Sequence, residues 1–188
     1  MKRLLWSLFS LFLCLALAGP VSALVWSGNG HDYQVIRLAN SSWDSAVEDM
    51  LNRFGTGYTL ATITSADEQG FINDLLKFYC GEYWIGGIQD PGQNNPSSGW
   101  NWMTGEEWGD FTNWASGEPN DYNRRDEKFL AVWSKYDPNS WKWNDEGYFS
   151  NISGYIAESL PVPEPGTIVL MGLGLLGLAG VGRKRFRN

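Results

Sequence analysis

Apolar residues recur at helical spacing in two segments of the first half of the chain. In the earlier segment, successive apolar residues are separated alternately by three positions and by one position. They are Trp43, Ala46, Val47, Met50, Leu51 and Phe54. This spacing places them on one face of an α-helix. We therefore predict an amphipathic helix that starts at Ser41 or Ser42 and ends before Gly55.

The later segment begins with a helix-capping sequence. Ser65 is followed three residues later by Glu68, which is the arrangement of a capping box. The apolar residues after it share one helical face: Phe71, Ile72, Leu75 and Leu76. This pattern predicts a second helix whose apolar side faces the core.

Several short segments have the apolar pattern of β-strands. They are residues 33–38, 58–63, 83–88, 129–133, 140–143 and 154–158. Two early helices among short strands predict an α+β domain.

A stretch of about 38 residues, 89–126, lacks periodicity and is rich in Gly, Pro, Asn and Trp. Connections are normally much shorter, so a segment of this length is expected to be either functional or disordered. Disordered segments are poor in aromatic residues, whereas this one contains Trp100, Trp102, Trp108, Phe111 and Trp114. We therefore predict an ordered functional loop, which a bound metal ion would help to order.

The N-terminus carries a targeting pattern. Residues 1–23 combine a basic start, an apolar run and a small-residue site that ends at Ala23. This predicts a secretory signal peptide cleaved after Ala23, and an uncleaved anchor is the alternative.

The C-terminus carries a second pattern, over residues 161–188. Pro163-Glu164-Pro165 precedes an apolar, Gly-rich run over 166–182 and a basic cluster over 183–187. A transmembrane helix of that length would span about 25 Å, slightly less than a bilayer core of ~30 Å.

This order resembles the PEP-CTERM sorting signal. The resemblance implies processing by an exosortase in a Gram-negative-type bacterium that makes exopolysaccharide. It also implies export across the inner membrane to the cell envelope, the cell surface or the extracellular matrix. A plain C-terminal membrane anchor is the alternative.

Residues 24–160, between these ends, are long enough for one domain with its own core. Six of the 14 basic residues but only one of the 21 acidic residues lie outside it. The resulting formal charge of about −12 repels nucleic acid, so no nucleic-acid partner is expected. Cys80 is the only cysteine of this domain, because Cys14 falls in the predicted signal peptide. We expect Cys80 to be a buried free thiol, and pairing with a cysteine of another molecule is the alternative.

Two short polar motifs near the end of the domain supply side-chain oxygens. Glu118-Pro119-Asn120 lies in the long loop, and Trp143-Asn144-Asp145 follows about two dozen residues later. Carboxylate and amide oxygens are the ligands that Ca²⁺ prefers. The two motifs therefore indicate a calcium site.

With other landmarks in the same order, these motifs resemble the C-type lectin domain over about 125 residues. The landmarks are the Trp43/Ala46 helix, Leu60-Ala61-Thr62-Ile63, Trp84-Ile85-Gly86-Gly87, Gly99-Trp100-Asn101-Trp102, Asn113-Trp114 and Tyr155-Ile156-Ala157-Glu158. The resemblance implies a C-type lectin-like fold, and a Ca²⁺-dependent carbohydrate-binding protein rather than an enzyme.

The resemblance also implies a ligand set for one Ca²⁺ at the tip of the loop. The implied metal ligands, which would also contact the sugar, are Glu118, Asn120, Asn144, Asp145 and a further acid, Glu127 or Asp126. We favour Glu127, since it keeps the strand that starts at Phe129 in phase. The order Glu then Asn in the first motif is that of the mannose-type class, which takes equatorial vicinal diols. Pro119 is expected to follow a cis peptide bond.

The chain departs from the family at its disulfides. The resemblance places one bridge at Met50 and Ala157 and another at Phe129 and Tyr148, and none of these residues is cysteine. Each missing bridge would be worth about 2–4 kcal/mol. Packing of the replacement side chains is expected to offset part of that loss.

Two rival functions stay open. A lectin-like domain of this fold can bind protein or build matrix without calcium. The acidic residues of the same site could instead supply the carboxylate pair of a glycoside hydrolase. Carboxylates shared by one calcium ion stay ionised and bound, which disfavours the hydrolase. Trp108, Tyr122 and Trp141 are candidates for stacking against a sugar ring.

Overall fold

The computed structural model describes residues 24–122, 126–134, 140–147 and 151–160 of the chain. The predicted signal peptide and the predicted sorting segment, including its membrane helix, lie outside the described residues. No helix in the described part of the chain is long and apolar enough to cross a membrane.

The first helix, α1 (Trp43–Phe54), has the bounds that the sequence pattern predicts. The Ser42 hydroxyl accepts a hydrogen bond from Ser45 N at 3.1 Å and so caps the helix N-terminus. At the other end Gly55 has a φ of 69°, a left-handed conformation that glycine adopts without a Cβ clash.

The second helix, α2 (Ala66–Leu76), begins after Ser65, as predicted, but only one of the two hydrogen bonds of a capping box forms. Ser65 Oγ accepts a hydrogen bond from Glu68 N at 3.2 Å, as a capping box requires. The Glu68 carboxylate reaches one residue further back than expected and accepts from Thr64 N at 2.8 Å. Glu68 is also buried, so it belongs to the interior rather than to an exposed helix end.

The described strands form one mixed sheet. Their bounds are β1 Leu24–Val25, β2 Asp32–Arg37, β3 Tyr58–Leu60, β4 Glu82–Gln89, β5 Trp100–Trp102, β6 Phe129–Trp133, β7 Lys142–Glu146 and β8 Ile152–Ser159. The main path runs β1-β2-β8-β4-β6-β7, with β3 paired to β8 and β5 paired to β4. The β4–β8 ladder is parallel and the other ladders are antiparallel. The beginning and end of the domain thus lie side by side on β2 and β8, and β7 forms the opposite edge.

Strand β5 lies inside the segment that was predicted to be an irregular loop. It pairs Trp102 with Gly87 of β4. A Cβ added to the neighbouring Gly86 would lie 2.6 Å from Leu60 O, and Gly86 N donates a hydrogen bond to Ala61 O at 2.8 Å. Glycine at this position therefore lets the chain after β3 pass close to β4.

Strand β7 differs from the prediction because the second polar motif is part of it. The strand begins at Lys142 rather than at residue 140 and continues beyond the motif. Asn144 pairs with Ala131 of β6, and Asp145 pairs with Leu130. The hydrogen bonds between β6 and β7 therefore fix the backbone positions of Asn144 and Asp145.

The core lies on both faces of the sheet, because alternate residues of a strand point to opposite faces. On β6, Leu130 and Val132 join one buried cluster, while Ala131 joins the other. Helix α2 covers the first cluster and helix α1 covers the second. Each helix thus packs its predicted apolar face against one side of the sheet, except for Leu51, which is 44% exposed.

Apolar packing occupies the positions at which the resemblance places a disulfide. Met50 is 1% exposed and Ala157 is 0% exposed, and both belong to the cluster beneath α1. Phe129, of the second pair, packs against the same cluster, whereas Tyr148 lies outside the described residues. The contact that a covalent bridge would make is therefore made by buried side chains at the first pair.

Aromatic packing orders the long loop. Trp108 stacks on Trp102 with ring centroids 4.8 Å apart and on Trp100 at 5.9 Å. It also meets Trp143, of the second polar motif, edge-on at 5.6 Å. The tryptophan rings thus hold the described part of the predicted loop against the sheet.

The prediction for Cys80 is wrong in this structure. Cys80 is half-buried and disulfide-bonded rather than a free thiol. The chain has one other cysteine, Cys14, which lies outside the described residues. The prediction rested on the expected loss of Cys14 with the signal peptide.

Candidate functional site

The Asp145 carboxylate joins the two polar motifs. Its Oδ1 accepts a hydrogen bond from Asn120 N at 3.0 Å, and its Oδ2 accepts from Asn120 N and from Asp121 N, both at 2.9 Å. The Asp145 residue is 1% exposed, and its backbone is held in the β6–β7 ladder. A buried carboxylate on the sheet therefore fixes the loop that carries the first motif.

The first motif presents its side chains at the surface. The Glu118–Pro119 peptide bond is cis, as predicted. The Asn120 amide nitrogen donates a hydrogen bond to Glu118 Oε2, so these two side chains lie beside each other. Glu118 is half-buried and Asn120 is exposed, which leaves both within reach of a ligand.

The two candidate acids before β6 have different surroundings. Glu127 is 5% exposed, and its Oε2 accepts a hydrogen bond from Tyr122 N at 2.7 Å. Its backbone nitrogen donates to Asp121 Oδ1 at 3.0 Å. Asp126 is exposed and forms an ion pair with Lys128 at 2.6 Å. Glu127 thus belongs to the hydrogen-bonded loop of the first motif, whereas the described partner of the Asp126 carboxylate is Lys128.

Asn144 is held by a residue that the sequence reasoning missed. Its Nδ2 donates a hydrogen bond to Glu82 Oε1 at 2.8 Å, and both residues are buried. The prediction started β4 one residue later, at Tyr83, and so left Glu82 out. The signal was an acidic residue directly before a run of buried strand residues. Asp121 was also missed, and nothing in its sequence context distinguishes it.

Burial raises the pKa of three carboxyl groups in this region. It raises the pKa of Glu82 and of Glu127 to about 7, and it raises the pKa of Asp145 above its usual range. Neighbouring negative charges add to the effect, and at Glu82 these include Glu146 and Glu118. The region is therefore a cluster of carboxylates that repel one another, and a bound cation would relieve that repulsion.

The side chains of this cluster offer the type of oxygen atom that Ca²⁺ binds. Carboxylate oxygens come from Glu118, Glu127 and Asp145, and amide oxygens come from Asn120 and Asn144. Hard cations bind such oxygens. Over the described ranges, no group of three or more His, Cys, Asp or Glu side chains is arranged to hold a metal ion. A cation here would depend on the amide oxygens and would share Asp145 with the backbone of the loop.

The three aromatic candidates for sugar stacking differ in accessibility. Trp141 is 0% exposed, and Trp108 is half-buried against other tryptophan rings of the loop. Tyr122 is 63% exposed and follows directly on the loop segment that Asp145 binds. Burial excludes Trp141 from stacking on a ligand, and Tyr122 is the accessible ring beside the site.

Part of the chain is similar in sequence to animal lectins of known identity. E-selectin from Canis lupus familiaris is 30% identical over 89 residues, which are 46% of this chain and 13% of E-selectin. The chain therefore spans only a small part of that relative's length.

Solved structures show the same fold. The C-type lectin CEL-I from Cucumaria echinata superposes with a TM-score of 0.59 at 18% identity, over 77% of this chain and 99% of that one. SPL-2 from Saxidomus purpuratus, described as a Ca²⁺-independent C-type lectin, superposes with a TM-score of 0.57 at 20% identity, over 77% and 95%. These identities establish likeness of fold alone.

Two family models match separate parts of the chain. The PEP-CTERM protein-sorting motif matches residues 161–185, as predicted, and implies export to the cell envelope or surface. The lectin C-type domain matches residues 40–150, which are more than half of the chain. That range holds both helices, the long loop and both polar motifs. The chain therefore belongs to the C-type lectin domain family.

Proposed function

We propose that this exported lectin-like protein binds a glycan through Ca²⁺. The observation that carries the proposal is the Asp145 carboxylate, which holds the loop of the first motif through Asn120 N and Asp121 N. This contact joins the loop that carries the first motif to the strand that carries the second. Burial is the main cause that raises the pKa of Glu127 and of Asp145, and neighbouring carboxylates add to it. A divalent cation would favour the charged form of both groups.

The residues that would hold Ca²⁺ are Glu118, Asn120, Glu127, Asn144 and Asp145. Glu127 is preferred to Asp126 because it is buried in the site loop, whereas Asp126 pairs with Lys128. Ca²⁺ accepts six to eight oxygens, so these side chains leave room for oxygens of a ligand. Bound Ca²⁺ would supply direct coordination to two neighbouring sugar hydroxyls.

The protein's own side chains would orient those hydroxyls. A hydroxyl has one proton to donate and lone pairs to accept with. The carboxylates of Glu118 and Glu127 can accept the protons, and the amides of Asn120 and Asn144 can donate. Each amide has two N–H groups, so the bonds from Asn120 to Glu118 and from Asn144 to Glu82 leave one N–H in each for a ligand.

The class of sugar follows from the order of acceptor and donor in the first motif. Glu118 precedes Asn120, which is the mannose-type order in the family that this chain resembles. The proposed ligands are therefore glycans with equatorial vicinal diols, such as mannose, glucose or fucose. The galactose-type order would place Gln and Asp at these positions.

The C-terminal signal supports a place of action outside the cell. We propose that an exosortase processes the segment that includes Pro163-Glu164-Pro165 and that the protein is held in the membrane until then. The glycan partner would then be exopolysaccharide or another envelope glycan of a Gram-negative-type bacterium. The signal peptide is proposed to end at Ala23.

The alternative function is calcium-independent binding of protein or matrix. One observation favours it: the tryptophan rings of the long loop pack on one another and on Trp143. Aromatic packing of this kind can hold the loop in place for a partner other than a glycan. The excess of carboxylates around Asp145 favours the calcium proposal over this alternative.

Retention on immobilised sugars tests the proposal. The protein should bind a mannose resin in the presence of calcium and elute with EDTA. The double variant Glu118→Gln/Asn120→Asp should move from mannose to galactose, and Asp126→Asn should behave like the native protein. Retention that persists in EDTA would contradict the calcium mechanism.

A further inference from the structure

Glu82 forms a hydrogen bond with Asn144, a residue of the proposed site. It lies outside both polar motifs and is 5% exposed, and its Oε1 accepts a 2.8 Å hydrogen bond from Asn144 Nδ2. We propose that Glu82 is a positioning residue that holds the Asn144 amide so that Oδ1 is presented to a divalent cation. This inference rests on the calcium site proposed above.

The sheet fixes the backbones at both ends of this hydrogen bond. Glu82 is the first residue of β4 and pairs with Trp133 of β6 and Ile152 of β8. Asn144 lies in the middle of β7 and pairs with Ala131 of β6. The two side chains therefore meet across strand β6, and the hydrogen bond joins β4 directly to β7.

The chemistry of an amide makes this contact directional. A primary amide donates through its nitrogen and accepts through its oxygen. An ionised carboxylate only accepts, so Glu82 binds the nitrogen of Asn144 and directs Oδ1 away from itself. A calcium ligand must offer an oxygen. Loss of a residue that orients a metal ligand typically costs about 10- to 100-fold in metal affinity.

Charge provides a second route by which Glu82 could act. Its carboxyl group lies within electrostatic reach of Glu118 and Glu127, and it would attract a cation even without touching Asn144. The variant Glu82→Gln separates the two effects, because it keeps an acceptor oxygen and removes the charge. Glu82→Leu removes both.

The first measurement concerns the metal-free protein at pH 8. The side-chain amide of Asn144 is observed by NMR of the ¹⁵N-labelled protein and is assigned by its loss in Asn144→Ala. We expect one amide proton to be protected from solvent exchange in the native protein and in Glu82→Gln. Glu82→Leu should lose that protection.

The second measurement is calorimetric titration of CaCl₂ into the same proteins. Glu82→Leu should bind calcium about 10- to 100-fold more weakly than the native protein, and Glu82→Gln should stay within about threefold. Gln89→Leu is the matched control, because Gln89 is a buried polar residue at the other end of β4 and donates to Asn95 O and Ser98 O. It should lower the melting temperature without changing calcium affinity.

Three results would overturn the inference. Equal calcium affinity in Glu82→Leu and the native protein would show that Asn144 needs no positioning, as would an unprotected Asn144 amide in the native protein. Equal weakening in Glu82→Gln and Glu82→Leu would assign the effect to charge. No calcium binding by the native protein would contradict the proposed site itself, and a protected Asn144 amide would then mark a hydrogen bond with a structural role only.

Discussion

Both carboxylate oxygens of Asp145 accept the backbone N–H of Asn120, a residue 25 positions earlier in the chain. Asp121 N adds a further hydrogen bond to the same carboxylate at 2.9 Å. Hydrogen bonds to a charged acceptor are stronger than neutral ones. The protein's own hydrogen bonds thus attach an exposed loop to a buried strand.

Asp145→Ala should therefore destabilise the fold as well as abolish calcium binding. The variant leaves the backbone N–H groups of Asn120 and Asp121 without their acceptor, and an unpaired group costs about 1–3 kcal/mol. We expect the free energy of unfolding in urea to fall by about 3 kcal/mol. Asp126→Ala is the control, because it removes an exposed ion pair with Lys128 that is worth less than about 1 kcal/mol. Similar losses in the two variants would contradict the role given to Asp145.

Met50→Ala tests whether packing replaces the missing disulfide. Met50 is 1% exposed and shares a cluster with Ala157, so truncation should cost about 2–5 kcal/mol. Leu51 is the next residue of the same helix and is 44% exposed. Leu51→Ala should therefore change the unfolding free energy by less than about 1 kcal/mol. A small effect of Met50→Ala would mean that other contacts carry the stability of this region.

A buried acidic group lies at the opposite end of the domain from the proposed site. The Tyr33 hydroxyl lies 2.6 Å from Glu68 Oε1 and 2.7 Å from Glu158 Oε1. A hydroxyl has one proton, so only one of these contacts can be its hydrogen bond and the other requires a protonated carboxyl. His31 Nδ1 is 2.6 Å from the same Glu158 oxygen. Burial raises the pKa of Glu158, which favours retention of the shared proton.

This group predicts that stability falls as the pH rises. The folded protein holds the Glu158 proton more tightly than the unfolded chain does, because the pKa of Glu158 is raised on folding. The stability linked to this proton is complete below the ordinary carboxyl pKa and is lost as the pH rises through the raised value. Urea unfolding between pH 5 and pH 8 in EDTA should show a smaller loss for Glu158→Gln than for the native protein. Parallel profiles for the two proteins would contradict a shared proton at Glu158.

Tyr122→Ala should weaken sugar binding without changing calcium affinity. The ring is 63% exposed and its backbone nitrogen binds Glu127 Oε2, so truncation removes a contact surface and leaves the metal ligands in place. An aromatic contact of about 1 kcal/mol corresponds to a roughly fivefold loss in affinity. Tyr122→Phe is the control and should retain binding. Inhibition of resin binding by free mannose measures both variants, and equal inhibition in all three proteins would exclude stacking by Tyr122.

The helices could be predicted from the sequence because their signals are local. The Trp43–Phe54 helix follows from apolar spacing, a serine cap and a terminal glycine, all within the segment itself. The contacts that build the site join residues that are far apart in the sequence. The bond from Asn144 to Glu82 joins residues 62 positions apart, and no local pattern encodes it.

The capping box at α2 follows its local sequence pattern only in part, because Glu68 is buried. Ser65 caps α2 as its motif predicts, but Glu68 is drawn to Thr64 N and to the Tyr33 hydroxyl. Burial beside Tyr33 of β2 and Asn29 decides the orientation of Glu68, and these partners are assembled only in the tertiary structure. The family resemblance supplied the positions of the two polar motifs, whereas the residues that support them became visible in the fold.

Calorimetric titration of Ca²⁺ into the metal-free protein tests the account most directly, with Asp145→Ala as the matched non-binding variant. The account predicts saturable binding of one ion per chain, a higher melting temperature with calcium and mannose binding that requires the ion. The absence of binding heat from a folded protein, with an unchanged melting temperature, would contradict it and would leave a lectin-like scaffold that recognises its partner without calcium.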